Sequence, residues 1–457
     1  MKSKSIASGA GLGYRAFDRL RAEFEQDWLT SVLVEPDCLV KLLDARSAVV
    51  FGERGSGKTA LRLALIQKGR AADAPPLILD WHPTLAETAL DENSVAFKYV
   101  TQMLQSGALG LLQYIARAPA LYRAAPSWAR ETLAWFIQKY LQGNHELQLD
   151  RLTEEVGGKG VELARELLTQ PPRAIFAEDA AQETVLADLT QCIQKIGISR
   201  IWVVVDGLEK WLELDMAPMA QALLALLKSL ALFEIPGFEL KLLAPGEFQP
   251  ILLRPGALAN RRLERYELTL TPNQAQQIVE RRLALAFGRP QMTLLQFAAA
   301  PLEAYVREFG GVSPRGWLEL LKPFVEFRLE NNLDRALTAR EIENIKKQNP
   351  PKLRLNLQAQ QVFFHYKPIA VTPAGYKLLR QLYVHGVSSR AELWFCGIRE
   401  LERVPKEGEK DYENINSWRG TLDTSLSRLR DIIEPDSDSQ LYLVTKVNGM
   451  VALENFI

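Results

Sequence analysis

Ser47-Ala48-Val49-Val50-Phe51-Gly52-Glu53-Arg54-Gly55-Ser56-Gly57-Lys58-Thr59-Ala60-Leu61 decides the fold. A short apolar run leads into Gly52-Glu53-Arg54-Gly55-Ser56-Gly57-Lys58-Thr59, which fills every position of G-x-x-x-x-G-K-[ST]. The glycines let the backbone curl so that successive N–H groups, including those of Arg54 and Ser56, face one anionic centre. Lys58 is expected to reach the outer phosphates of a nucleotide. Thr59 opens the following helix, whose N-terminus adds positive potential, and its hydroxyl is expected to meet Mg²⁺.

A phosphate loop needs an acidic partner at the end of a neighbouring strand. Ile201-Trp202-Val203-Val204-Val205-Asp206-Gly207-Leu208-Glu209 supplies it. Asp206 is expected to hold Mg²⁺, directly or through water. Glu209, three residues on, is positioned to orient or deprotonate an attacking water. No N-K-x-D motif that reads guanine occurs, which favours ATP over GTP.

Further strands are expected at Leu77 to Asp80, Phe238 to Ala244 and Tyr266 to Leu270, alternating with helices. That alternation implies a parallel sheet covered on both faces. The expected class is α/β, a parallel-sheet phosphate-loop core at 47–271 with a large helical insertion at 84–196. An N-terminal helical segment precedes it at 1–46. An all-helical lid follows at 272–330, then a polar linker at 331–351 and a C-terminal domain at 352–457.

The core and lid, roughly Phe17 to Leu329, resemble the additional-strand ATPases, which include the AAA+ and the signalling (STAND) ATPases. Asp206-Gly207-Leu208-Glu209 is similar to the D-G-x-[DE] run of STAND proteins. AAA+ unfoldases usually place the glutamate directly after the aspartate, where Gly207 stands here, and the departure favours a slow switch over a motor. Gly310-Gly311-Val312-Ser313-Pro314-Arg315 resembles the start of an AAA+ sensor-2 helix, which implies that Arg315 reaches the γ-phosphate from the lid. The strand ending in Ala244-Pro245 offers no polar sensor-1 residue, so a scaffold with structural nucleotide stays open beside a slow ATPase. The resemblance also implies homo-oligomers with an arginine supplied by a neighbour, for which Arg261, Arg262 and Arg265 are the candidates.

The C-terminal domain begins with short alternating strands. Thr372-Pro373 then has the form of a helix N-cap with proline at N1. Ser389 opens a second helix, Trp418 to Ile433 forms a third, and Asn448-Gly449 turns a hairpin. This order resembles the winged helix-turn-helix of OmpR/PhoB-type regulators. The resemblance implies DNA contact by the third helix through Arg419, Thr424, Ser425 and Arg428, with Lys446 on the wing. Asp423, Asp431, Glu434, Asp436 and Asp438 oppose that reading, so docking of a protein partner that carries the output activity stays open equally.

Over 457 residues, 55 Lys+Arg balance 55 Asp+Glu, and 47% of the chain is hydrophobic. The composition excludes a mainly disordered chain and a binder that holds nucleic acid by bulk charge. The neutrality is a sum of unlike parts: Lys352 to Arg390 holds six basic residues and no acidic one. Cys38, Cys192 and Cys396 are too scattered for a disulfide framework or metal knuckle and are expected as free thiols. Tyr99 to Ala116 lacks charge but carries several polar residues, so a buried helix pair is expected there and no membrane span. With no apolar leader, a cytoplasmic location is expected. Together these readings describe an ATP- and Mg²⁺-binding oligomeric switch, with DNA or a protein as partner.

Overall fold

Five strands carry the architecture: β1 (Ala48–Gly52), β2 (Leu77–Trp81), β3 (Ile201–Val205), β4 (Phe238–Pro245) and β5 (Glu264–Glu267). They form one parallel sheet in the order β2-β3-β4-β1-β5. The computed structural model describes residues 12–18, 20, 25–84, 92–156, 158–169, 175, 181–211, 223–224, 226–253, 263–357, 360–406, 409, 415–435, 440–446 and 448–456. The chain divides into two compact units, 21–270 and the combination of 1–20 with 271–457. The N-terminal 1–46 segment is thus shared between them.

In the first unit β1, β3 and β4 are buried at every position, because both faces of the sheet are covered. Val49 and Phe51 point into one core with Leu79 and Val203, while Ala48 and Val50 point into another with Leu61, Leu65 and Leu243. The second core lies under the helices Cys38–Asp44 and Lys58–Arg70. The first lies under the helical insertion, led by Glu92–Arg117 and continued by Ser127–Tyr140, Gly158–Thr169 and Gln182–Gln194. The uncharged stretch at Tyr99 to Ala116 is one continuous helix, where a pair was expected. Gly107 lies against Leu79 of β2, where a Cβ would come within 2.7 Å of that side chain, so the helix crosses the sheet there. Among the described residues no helix is long and apolar enough to cross a membrane.

The last strand differs from expectation. The paired residues of β5 are Glu264–Glu267, exposed but for half-buried Tyr266, and the apolar Leu268 and Leu270 lie beyond it as buried connector. An edge strand has one open side, and charge on it discourages further pairing.

The second unit holds two cores. The helices Pro272–Phe287, Ala300–Phe309 and Pro314–Glu330 bury Val279, Leu283, Leu302, Trp317 and Phe324. The expected linker 331–351 belongs to this core, which corrects the sequence reading. Its helix Ala339–Gln348 starts from a Thr338/Glu341 capping box and buries Ile342 and Ile345 beside Leu337. Buried Arg328 donates to the carbonyls of Phe297 (3.0 Å) and Leu333 (3.1 Å), tying the first residues of that segment back. Leu333, Leu337, Ile342 and Ile345 are a weak periodic signal in a polar string, but here they complete a core.

The C-terminal part begins with an antiparallel sheet of β6 (Leu353–Asn356), β7 (Gln361–Phe364) and β8 (Lys367–Ile369). The helix Pro373–His385 is capped by Thr372, whose hydroxyl accepts from the Gly375 N–H. Ser389 caps the second helical segment, 390–398, through a box with Glu392. A third helix, Ile415–Ile433, places Trp418, Leu422, Leu426, Leu429 and Ile433 in the shared core. β9 (Val387–Ser388) pairs with β11 (Val451–Leu453), which pairs with β10 (Leu443–Thr445) across the turn containing Asn448-Gly449. Gly449 has φ +75°, so glycine suits that turn.

Candidate functional site

The site lies where β1, β3 and β4 end. Gly55 and Gly57 have φ of +83° and +100°, the left-handed region that only glycine enters freely. A Cβ on Gly52 would come within 2.5 Å of the Ser56 hydroxyl oxygen. Gly57 caps the helix Lys58–Arg70. Lys58 is buried and folds back over the loop, donating to the carbonyls of Gly52 (2.7 Å) and Glu53 (2.8 Å). Arg54 is exposed on the loop and Thr59 is half-buried at the start of the helix.

β3 delivers the acidic partners. Asp206 follows its last residue and is 2% exposed. Gly207 turns the chain with φ +82°, and a Cβ there would come within 3.1 Å of His82 Nδ1. The turn brings Glu209 to Lys58, with Nζ 2.9 Å from Oε1. Burial, then the nearby Glu209, push the Asp206 carboxyl above its usual range, against the opposing pull of the Gly207 N–H, Arg62 and the Thr59 hydroxyl. Asp206 Oδ1 and the Ser56 hydroxyl are both buried without a hydrogen-bond partner in the protein. Two unpartnered oxygens beside a lysine and a helix N-terminus fit a hydrated divalent cation and a phosphate chain.

Four residues were missed by the sequence reading. Arg62, one helical turn after Lys58, is 4% exposed. Its Nη1 donates to both Asp80 oxygens (2.7 and 2.5 Å) and lies 3.3 Å from His82 Nε2, while its Nε is 3.3 Å from Asp206 Oδ2. The available signal was the i, i+4 spacing from Lys58 and the aspartate near the end of β2. Glu247 was missed too. It sits in the turn Gly246–Phe248 directly after β4, whose Pro245 is registered with Gly52. Its Oε2 is buried without a hydrogen-bond partner. A carboxylate therefore follows the strand for which no polar end-group was expected.

The remaining candidates lie elsewhere. Arg265 is exposed on β5 between Glu264 and Tyr266, whose hydroxyl donates to Glu264. Arg261 and Arg262 lie outside the described residues. Arg315 belongs to the second unit, half-buried in the first turn of Pro314–Glu330. In the third helix of the C-terminal domain Arg419, Thr424 and Arg428 are exposed and Ser425 is half-buried. The Thr424 and Ser425 hydroxyls donate to the Gly420 and Thr421 carbonyls of their own helix (2.8 and 2.9 Å). Lys446 is paired with Glu454.

Two expected charge effects also change. Glu434 is no surface charge, because its carboxylate accepts from the N–H groups of Leu441, Tyr442 and Leu443, which ties the hairpin to the end of the third helix. Four of the six bases in the run Lys352 to Arg390 meet three acids from other elements. Lys367 pairs with Glu308, Lys377 and Arg380 with Glu400, and Arg390 with Asp423. The three cysteines are free thiols, and no group of three metal-ligating side chains occurs among the described residues.

No family model matches the chain, and no curated protein matches it. Among solved structures, it is similar to the ORC2 protein of Aeropyrum pernix in its ADP form, at 14% identity over 97% of this chain and 94% of that one, with a TM-score of 0.37. It is similar also to Cdc6p from Pyrobaculum aerophilum, at 12% identity over 98% and 95% of the two chains, with a TM-score of 0.33.

Proposed function

We propose that the chain is an ATP-binding and slowly hydrolysing switch of the AAA+/STAND type. The observation that carries this reading is the sheet order. β4 lies between β1 and β3, the additional strand that names the class, and Lys58 still meets Glu209 across it. The unpartnered Asp206 Oδ1 and Ser56 hydroxyl support a cation and a phosphate as what the cradle takes.

In this reading the loop N–H groups and Lys58 hold the phosphates, and Thr59 and Asp206 hold Mg²⁺. The metal, when bound, offsets negative charge on the phosphate oxygens. Lys58 exchanges its Glu209 partner for phosphate, because one ammonium cannot fully satisfy both anions. Glu209 is then free to orient water and take its proton. Arg315 and one of Arg261, Arg262 and Arg265 are proposed as phosphate-facing guanidiniums, the latter from a neighbouring copy in a homo-oligomer.

The proposed output module is a winged helix that engages DNA through Arg419, Arg428 and neighbouring residues. The second reading, in which this module docks a protein partner, is favoured by the committed Thr424 and Ser425 hydroxyls and by the Lys446–Glu454 pair. Binding of a fluorescent ATP analogue, size-exclusion profiles with and without nucleotide, and duplex binding across salt concentrations test these readings in turn. Absence of nucleotide binding in the wild type would sink the first. Duplex binding with a steep salt slope supports DNA, and nucleotide-driven assembly without duplex binding supports the protein reading.

A further inference from the structure

Arg62 is a buried cation that the phosphate-loop chemistry does not require. It lies on the same helix as Lys58, one turn further in, and reaches away from the loop toward the ends of β2 and β3. Asp80 and Asp206 stand on these adjacent strands: Asp80 pairs with Val204 in the register, and the Asp206 N–H donates to the Trp81 carbonyl. Without a cation between them, two carboxylates this near would repel. Arg62 supplies that cation asymmetrically. Its Nη1 is held by both oxygens of half-exposed Asp80, at 2.7 and 2.5 Å, and only its Nε faces Asp206, in an ion pair at 3.3 Å from Oδ2 that makes no hydrogen bond. The other Asp206 oxygen, Oδ1, is buried and unpartnered.

We propose that Arg62, anchored by Asp80, is the positioning residue for Asp206: it holds Oδ2 and so turns Oδ1 toward the divalent cation of a bound nucleotide. The inference rests on the nucleotide reading above and extends it to how the cation is held. A planar guanidinium suits this task because it meets two carboxylates in fixed directions, which an ammonium cannot do. His82, 3.3 Å from the same Nη1 and facing Gly207, closes the cluster on its exposed side. Groups that orient a metal ligand from behind are typically worth on the order of 10–100-fold in metal affinity.

The test titrates Mg²⁺ against a fluorescent ATP analogue on the full chain, for the wild type, Arg62→Gln, Arg62→Lys and Asp80→Asn. The expected result is a rise of about tenfold or more in the Mg²⁺ concentration at half-saturation for Arg62→Gln. A smaller rise is expected for Arg62→Lys and for Asp80→Asn, with nucleotide affinity in EDTA changed less than about twofold. Asp80 is half-exposed, so Asp80→Asn keeps the proposal testable even where an Arg62 variant fails to fold. Unchanged Mg²⁺ half-saturation in folded, nucleotide-binding Arg62→Lys and Asp80→Asn overturns the proposal and leaves the nucleotide reading standing. A wild type that binds no nucleotide, with or without Mg²⁺, overturns both.

Discussion

Two glycine-rich turns each open a helix in this chain, and they use glycine for opposite ends. Within Gly52–Thr59, Gly52 packs against the Ser56 hydroxyl, but Gly55 and Gly57 serve the backbone. A Cβ on Gly57 would meet nothing within 4 Å, so glycine is there for its φ of +100° and for what can approach the backbone. At Gly310–Arg315 and the Gly316 that follows, the space is filled. Cβ atoms on Gly311 and Gly316 would come within 2.9 and 2.5 Å of Tyr366, and Gly316 would also collide with the Gly310 carbonyl. The Tyr366 N–H donates to the Phe309 carbonyl, His365 Nε2 to the Gly316 carbonyl, and the Trp317 indole to the Gly311 carbonyl. The first turn leaves the backbone at Gly57 open to approach. The second is a socket for the β7–β8 turn of the C-terminal part, so a motif read as a phosphate sensor also fastens two parts of the second unit together.

The largest effect expected is at the first turn. Lys58→Ala should lower phosphate release by about 10²–10³-fold and abolish tight binding of an ATP analogue. The unfolding midpoint should move little, since Glu209 reaches water when its partner is removed. Unimpaired turnover in this variant would place the chemistry elsewhere.

At the second turn the expected effects are on stability. Burial, then the nearby Arg354 and Lys352, lower the His365 pKa to about 4, against the favourable Gly316 carbonyl. A histidine held neutral in the fold stabilises fully above its unfolded value near 6.5, and that contribution is lost as pH falls from there toward 4. The drop amounts to about 3 kcal/mol in full. Denaturant midpoints at pH 7.5 and 5 should therefore differ more for the wild type than for His365→Gln. Equal differences would mean that His365 does not titrate with unfolding.

Gly316→Ala should cost about 1–3 kcal/mol by overpacking against Tyr366 and the Gly310 carbonyl, measured by chemical unfolding. Gly57→Ala is the matching probe at the first turn. It should cost only about 1–2 kcal/mol, from strain at positive φ, while weakening nucleotide binding more than Gly316→Ala does. Reversal of that order would erase the contrast between the turns.

Legibility followed distance along the chain. The phosphate loop, the aspartate after β3, the Thr372 and Ser389 caps and the Asn448-Gly449 hairpin could all be read because each is a local pattern with a local cause. The Arg62–Asp80 pair could not, because it joins residues 18 apart on a helix and a strand, and the pairing of β2 with β3 then brings Asp206 beside them. Glu247 was hidden by the proline and glycine before it, which read as the end of a strand. The basic run at Lys352 to Arg390 suggested a charged face, yet its partners Glu308, Glu400 and Asp423 come from other elements.

By itself the sequence determined the glycine-dependent turns of the phosphate loop and of Asn448-Gly449, the capped helix starts at Thr372 and Ser389, and the burial of β1, β3 and β4, since these are set by sterics, capping and hydropathy over a few residues. Only the tertiary structure decided that β4 enters between β1 and β3, that 331–351 completes a core, and which charges meet. Those outcomes depend on surfaces brought together from distant positions, where burial turns a single buried cation such as Arg62 from a helix residue into the partner of two carboxylates.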